Sequence, residues 1–334
     1  MENLELTQPV PLVSIGIPLY NGKRFIRGCL DMLAAQTFTD YEIVIVDNGS
    51  TDGTSEICQE YARRDARIRY VKYDGTIPIA ENFWRTFLHA RGRYYTWNSA
   101  DDRRDPETIA LAVDEIERHP EAVMVHGPVE LDIVADGTRV IIPNDFDASM
   151  ADAAARVAAF CRGLQHNGMY FGLYRREVLA HVRLRQVGGH DFLVPLQMVM
   201  MGPIRRIEKP IIRYWHAWGP LDNPMYGYRS VSIRKLLAWP SNRFKCWLTL
   251  ARGAWYLLRE RHTPLGTRVK ATVAFVATFG RTYAGYLFRE AVFAAAAPIA
   301  YLLWPVAEPA RMIRRAWLSR RGPATQDPQS TETS

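Results

Sequence analysis

Along the first hundred residues the apolar positions alternate between two periods. Residues 13–17 (Val-Ser-Ile-Gly-Ile) and 41–46 (Tyr-Glu-Ile-Val-Ile-Val) are short β-branched runs, which predicts buried strands. Between them, residues 23–36 place Phe25, Ile26, Cys29, Leu30 and Leu33 on one face at helical spacing. The same reading predicts a helix over 55–64, a strand over 68–73, a helix over 79–90 with Phe83, Phe87 and Leu88 available for packing, and a strand over 93–97. A helix over 105–119 follows, with Pro106 at its first position, where the missing N–H costs little. Strand and helix in strict alternation predict an α/β fold with a mostly parallel sheet covered on both faces.

Further on the pattern loosens. Residues 123–131 and 139–142 read as strands flanking the turn Ala135-Asp136-Gly137. Residues 152–164, 176–182 and 192–201 read as helical, and 204–215 contains another strand. Residues 217–229 are broken by Gly and Pro and predict a loop. From residue 243 the character changes. Phe244, Trp247, Leu248, Ala251, Trp255 and Leu258 fall at helical spacing, with Lys245, Arg252 and Arg259 elsewhere on the wheel, which predicts a basic amphipathic helix. A second apolar-rich helix is predicted over 269–286. Residues 291–307 carry no charge, but Pro298 and Pro305 interrupt them. That run lies at the short end of the roughly 17–25 residues a spanning helix needs, so an inserted segment is the less favoured reading. The last dozen residues are rich in Pro, Thr, Ser and Gln and are predicted to be disordered.

Composition changes this picture in three places. At 334 residues and 48% hydrophobic, the chain can build one large domain plus an appendage. Its four cysteines are scattered without a Cys-x-x-Cys pair, so neither a zinc site nor a disulfide framework is expected, and reduced packing residues in a cytosolic compartment are. The opening residues Met1-Glu2-Asn3-Leu4-Glu5 have no basic and apolar leader pattern, so no signal peptide is expected. The net charge of +7 hides an asymmetry: residues 229–322 hold 17 Lys and Arg against 3 Asp and Glu, whereas residues 1–228 hold 25 against 30. The basic back half implies an anionic partner. Its cations alternate with Trp, Leu and Phe on apolar faces, which favours a membrane surface over nucleic acid.

The chemistry concentrates where strands end. The 41–46 strand runs into Asp47-Asn48-Gly49-Ser50-Thr51-Asp52-Gly53-Thr54, and the 93–97 strand into Asn98-Ser99-Ala100-Asp101-Asp102. In open α/β sheets ligands bind at the carboxyl ends of strands. Two acidic strand ends in one unit point to a nucleotide whose phosphates carry a divalent cation.

These segments, together with Val13-Ser14-Ile15-Gly16-Ile17-Pro18-Leu19-Tyr20-Asn21 and Ala80-Glu81-Asn82, resemble family 2 glycosyltransferases of the GT-A fold, in family order and at family-like spacing over about residues 12–105. A weaker likeness continues to about residue 216. The resemblance implies a GT-A domain over 10–228, with a nucleotide-sugar half at about 10–105 and an acceptor half at 106–228. A basic, membrane-associating helical appendage (229–322) and a disordered tail (323–334) follow. It implies an enzyme that moves a sugar, with inversion, from a nucleotide donor (UDP-linked by expectation) to a glycan or lipid-linked acceptor in cell-surface polysaccharide synthesis. The location would be peripheral, at the cytoplasmic face of the inner membrane. A homodimer is an open alternative for the appendage. Transfer to polyprenyl phosphate, or a non-catalytic scaffold on the same fold, are the rival functions.

The resemblance also assigns roles. Asp101 would ligate Mg²⁺ or Mn²⁺, with Asp102 in support and His216 as a late third candidate. The family's usual Asp-x-Asp is here Ser99-Ala100-Asp101, so one carboxylate is missing and Ala100 fills the middle place. Asp47 would accept hydrogen bonds from the base or ribose, Pro18, Tyr20 and Asn21 would line the base pocket, and Asn82 would approach the sugar or phosphate. The plainer alternatives are an Asx-turn for Asp47, a helix cap for Asp102 and a surface amide for Asn82. Asp191 is the expected general base, with capping of the next helix as its plainer role. Trp215 and Trp218 could stack on sugars, and residues 217–229 could form a lid.

Overall fold

The computed structural model describes residues 9–133, 138–182, 190–216 and 245–282; for residues 133, 138, 215, 216 and 245–249 it describes the backbone alone. The first half follows the periodicities closely. Strands β1 (Val13–Leu19), β2 (Tyr41–Asp47), β3 (Ile68–Lys72) and β4 (Tyr94–Trp97) alternate with helices α1 (Ile26–Ala34), α2 (Thr54–Arg64) and α3 (Ile79–Leu88). Every residue of β2 is buried, as expected of a strand covered on both faces. Neighbouring strands β3, β2, β1 and β4 pair in parallel. The chain winds outward through β1, β2 and β3, then returns across β1 to β4. That reversal leaves a crevice outside the carboxyl ends of β1 and β4, the usual ligand position in such sheets.

Beyond β4 the sheet ceases to be parallel. After α4 (Thr108–Arg118), β5 (Met124–His126) and β6 (Val129–Ile133) are separate strands: Gly127-Pro128 splits the predicted 123–131 run, since Pro has no N–H for a ladder. β7 (Thr138–Ile142) pairs antiparallel with β6, as the turn signal predicted. Helix α5 (Ala153–Gly163) is capped by Asp152, whose carboxylate accepts from Ala155 N at 2.7 Å. A 3₁₀ turn (Asn167–Phe171) leads into β8 (Leu173–Arg175), which inserts antiparallel between β4 and β5. Helices α6 (Arg176–Leu179) and α7 (His190–Met201) follow. The predicted 204–215 strand is two strands, β9 (Ile204–Arg206) beside β5 and β10 (Ile212–His216) beside β6. The main sheet runs β3-β2-β1-β4-β8-β5-β9, and a small sheet β10-β6-β7 stands beside it.

Helix α4 starts at Thr108, not at Asp105-Pro106, and neither Asp102 nor Asp105 caps it. Asp105 pairs instead with Arg213, at 3.1 Å. At the C-terminal side, α8 (Lys245–Arg259) and α9 (Leu265–Thr282) pack on each other and on α7 and α5, and they extend the same apolar core through Tyr256, Leu257, Ala271, Phe275 and Phe279. Cys29, Cys58 and Cys161 are reduced and buried, and burial pushes each thiol up to about 12. The predicted loop over 217–229, the uncharged 291–307 run and the tail lie outside the described residues.

One buried group sets a pH expectation. His126 on β5 stacks on Phe146 at 5.0 Å, with its Nδ1 buried and unpartnered. Burial, with Arg206 nearby, pulls its pKa down to about 3, from about 6.5 in the unfolded chain. The unfolded state therefore takes up a proton that the folded state refuses. Stability falls as pH drops from about 6.5 toward 3, by at most about 1.4 kcal/mol per unit from this residue. Urea midpoints for His126→Phe should show a flatter acid limb than wild type; parallel limbs would show that His126 is not the group.

Candidate functional site

The loops at the carboxyl ends of β1 and β2 are tied together. In register, Pro18 lies opposite Val46 and Leu19 opposite Asp47. Asn21, which takes a left-handed φ of 48°, donates its N–H to Ser50 Oγ at 2.8 Å, and its Oδ1 accepts from Thr51 N at 2.9 Å. Asn tolerates that backbone conformation where most residues do not. Asn21 is thus a clasp between the first two loops. Tyr20 beside it is 54% exposed, so its ring is open to solvent. Pro18 is half-buried at the strand end.

Asp47 is fully buried. Its Oδ1 accepts from Ser50 N (2.8 Å), and its Oδ2 from Ser55 Oγ (2.9 Å) and Tyr70 OH (2.7 Å). The carboxylate closes the turn that Gly49 and Gly53, at φ 82° and 92°, allow. The Asx-turn reading therefore describes its contacts in this structure. Asn48 extends the arrangement by exchanging two hydrogen bonds with the backbone of Ile77, at 2.9 and 3.0 Å. Asp52 lies at the rim and accepts from Thr54 and from Lys23 N; those bonds outweigh burial and hold its carboxyl below the usual range. Asn82 is not the surface amide of the plainer alternative. It is buried on α3, its Nδ2 donates to Val46 O at 3.2 Å, and its Oδ1 has no partner.

The β4 loop carries the acidic pair. Residues 99–102 form a tight turn, with Asp102 N donating to Ser99 O. Asp101 is exposed at its tip, while Ala100 and Asp102 are buried. The Ser99 hydroxyl bonds to the Asp102 carboxyl. Burial, with the Asp101 charge beside it, pushes the Asp102 carboxyl well above the ordinary carboxylate range, against the pull of Arg104. Beneath the turn, Asn98 donates to Ser99 O at 2.7 Å and to Cys29 Sγ at 3.4 Å, which anchors it to α1.

Among the described residues, no three His, Cys, Asp or Glu side chains converge on one point. The donor set is one exposed carboxylate with a buried one behind it. Mg²⁺ and Mn²⁺ sites on nucleotides fit that pattern, because phosphates and waters fill most of the shell. Arg103, behind the Asp101 turn, forms an isolated antiparallel bridge with Arg213 of β10, and the two exchange both backbone bonds at 2.8 Å. Trp215 and His216 follow at the end of β10. Their side chains, with Trp218 and the 217–229 loop, lie outside what the structure describes.

Asp191 sits within the first turn of α7, not at its cap. It is half-buried and accepts from Asn167 Nδ2. The adjacent His190 packs on Tyr170 (5.3 Å) and Phe83 (5.5 Å), and burial lowers its pKa. Tyr170 in turn stacks flat on Trp97 of β4 at 4.4 Å. This ladder of rings packs the start of α7 against β4, the strand that runs into the Asp101 turn.

Three residues that tie these segments together escaped the sequence reading. Arg104 is fully buried yet donates to Asn98 Oδ1, Thr96 Oγ1 and the carbonyls of Trp97, Phe171 and Ile211, all within 2.6–2.9 Å. Asn144, at φ 42°, grips residues 165 and 166 through its amide, and so sets Asn167. Asn167 holds Asp191. Their partners are distant in sequence, and the one local hint was an arginine so close behind an acidic strand end.

Comparison with known proteins agrees with this geometry. The family described as glycosyl transferase family 2 matches residues 14–183. Glycosyltransferase EpsJ of Bacillus subtilis is 36% identical over 129 residues, 38% of this chain and 34% of EpsJ. Chondroitin synthase of Escherichia coli is 37% identical over 110 residues, 33% of this chain and 16% of the synthase. The chain thus spans about a third or less of the length of these curated relatives. Among solved structures, S. aureus TarS 1–349 in complex with UDP-GlcNAc superposes with a TM-score of 0.58 at 16% identity, covering 80% of this chain and 72% of that one. The mannosyltransferase PcManGT from Pyrobaculum calidifontis, in complex with GDP-Man and Mn²⁺, gives 0.52 at 21%, covering 93% and 84%. At such identities these two show the fold alone. With the family match spanning half the sequence, and the strand-end loops placed as that fold requires, the chain belongs to the family 2 glycosyltransferases of the GT-A clan.

Proposed function

We propose that this protein transfers a sugar from a UDP-linked donor to a lipid-linked glycan, with inversion at the anomeric carbon, in surface-polysaccharide synthesis. One observation carries the reading. Asn21 bonds the β1 and β2 loops together, and Asn98 anchors the β4 turn to α1, the helix that follows the β1 loop, with Tyr20 and Asp101 both exposed. That arrangement suits a base at Tyr20 and a diphosphate at Asp101. The names of relatives add support: a chondroitin synthase in sequence, and structures solved with UDP-GlcNAc or GDP-Man.

Each residue then has a task. Tyr20 stacks on the base beside Pro18. Asn21 and the buried Asp47 keep the base loop in shape, and Asp47 reaches the base or ribose as that loop closes on the donor. Asn82, with a buried oxygen unpartnered, faces the sugar-phosphate side. Asp101 would hold Mg²⁺ or Mn²⁺ against the diphosphate, with Asp102 behind it and His216 as the late candidate. When bound, the cation neutralises the charge that grows on the leaving diphosphate. Asp191 takes the proton of the acceptor hydroxyl as its oxygen attacks from the face opposite the leaving group. The packing of α7 against β4 supports that role, because it brings the start of α7 toward the strand that ends in the Asp101 turn. The 10–228 segment is the catalytic domain in this proposal, and the basic residues 229–322 keep it at the cytoplasmic face of the membrane that carries the acceptor.

Thermal melting with UDP tests the donor site. UDP with Mg²⁺ or Mn²⁺ should raise the melting temperature; at a hundredfold excess over Kd the stabilisation is about 2.7 kcal/mol. Chelation of the metal should abolish the shift, and Asp101→Ala should make the residual shift independent of metal. Equal stabilisation by UDP with metal and with excess EDTA would overturn the assignment.

A further inference from the structure

Exposed apolar side chains gather on the two C-terminal helices. On α9, Leu265, Val269, Val273 and Val276 fall on one stripe, adjoining the buried face of Ala271, Phe275 and Phe279. Leu265 and Val273 are each 63% exposed. On α8, Trp255 and Leu258 are exposed on the side opposite the buried Tyr256 and Leu257. Single exposed apolar residues are ordinary, but a four-residue stripe along one helix, packed beside another that also exposes Trp255 and Leu258, is not.

The charges around the stripe are of one sign. Residues 245–282 hold seven Lys and Arg, and their one acidic residue, Glu260, is buried. The Arg259 guanidinium lies over the Trp255 ring at 4.9 Å, and exposed Lys270 follows Val269. Among the described residues no helix is long and apolar enough to cross a membrane. A second copy seated face to face would set two cationic borders against each other. An anionic surface with an apolar interior complements both the stripe and its border.

We propose that this face of α8 and α9 docks on an anionic membrane surface, with the valine and leucine stripe at the acyl boundary and the cations among the headgroups. Docking would also orient the site. Phe279 and Phe275 of α9 pack on Phe192, at 5.7 and 6.5 Å, and Phe192 follows Asp191 on α7. The helices that rest on lipid thus seat the turn that carries the proposed base. Vesicle binding needs no donor, so its failure would leave the transfer reading standing.

Flotation of the full chain with phosphatidylglycerol–phosphatidylcholine vesicles, or with phosphatidylcholine alone, tests the face. Wild type should float with the anionic vesicles only and be partly released by high salt. Val273→Asp removes an apolar contact and adds an anion, so partitioning should fall roughly tenfold or more, while the melting temperature and its UDP-dependent shift stay unchanged. Lys270→Glu should weaken binding roughly fivefold or more at low salt and little at high salt; it carries the test should Val273→Asp melt early. Wild type that ignores anionic vesicles overturns the proposal. So does Val273→Asp that floats like wild type, which would assign the binding to basic residues elsewhere. Light scattering that finds Val273→Asp turning a dimer into a monomer, with flotation unchanged, overturns it in favour of a second copy.

Discussion

Replacing Asp191 with Asn is expected to lower sugar transfer by roughly 10²–10⁴-fold while leaving UDP binding at its wild-type strength. The change keeps the shape and removes the basicity. Asn167 donates to the Asp191 carboxylate, and an amide oxygen at position 191 can accept the same bond, so α7 should keep its place. Nor does Asp191 belong to the proposed donor contacts: Tyr20 and Asn21 follow β1 and the Asp101 turn follows β4, whereas Asp191 stands on α7. The loss should therefore appear in kcat, with the UDP-dependent melting shift preserved. Transfer near the wild-type rate would point to an acceptor that is already an anion, such as polyprenyl phosphate, which needs no base. Loss of UDP binding together with activity would instead show that Asp191 supports the fold of the site.

Legibility in the sequence followed the distance between partners. β2 could be read because five of the six residues from Tyr41 to Val46 are apolar, four of them consecutive and β-branched, which has one physical explanation in a domain of this size. Its acidic end could be read because Asp47 makes two of its three bonds to residues close behind it, Ser50 and Ser55. The split at Gly127-Pro128 was written in the sequence but passed over, since the apolar positions on either side form a longer run than either strand uses. The antiparallel insertion of β8 between β4 and β5 left no local trace: three residues, Leu173–Arg175, pair with strands far away in the chain. The site divides in the same way. Asp101, Asp47 and Asp191 stand at ends of elements that periodicity marks, so their neighbourhood was predictable. What they touch was not. The burial of Asp102, the clasp of Asn21 on Ser50 and Thr51, and the line from Asn144 through Asn167 to Asp191 depend on side chains meeting across loops. In the C-terminal part, the exposure of Trp255 and Leu258 agrees with the basic amphipathic helix, whereas the α9 stripe became visible only once α5 and α8 showed which face was covered.

Arg104 is the residue on which the joined site most depends, and Arg104→Met is expected to cost about 3–5 kcal/mol of stability. Its guanidinium is fully buried, and burial pulls its pKa down to about 10, with Asp102 opposing, so it stays charged at neutral pH. Five oxygens converge on it, and two of their residues, Phe171 and Ile211, lie 67 and 107 positions along the chain. One planar head with several N–H groups therefore bonds the end of β4 to the 3₁₀ turn before β8 and to the residue before β10. Methionine fills a similar volume but donates nothing. The carbonyls of Trp97, Phe171 and Ile211 would be left buried without that partner, and the raised Asp102 carboxyl would lose its nearest compensating charge. Lysine should recover part of the loss, because an ammonium is a point donor and cannot span the set. Urea unfolding gives the stability, and the UDP-dependent melting shift reports the site. Both should fall in Arg104→Met, since the Asp101 turn begins at the bonds Arg104 makes to Asn98 and Trp97. A variant within about 1 kcal/mol of wild type would mean that water or rearranged backbone satisfies those carbonyls. The packing of α7 against β4 would then rest on the rings of Trp97, Tyr170 and His190 instead.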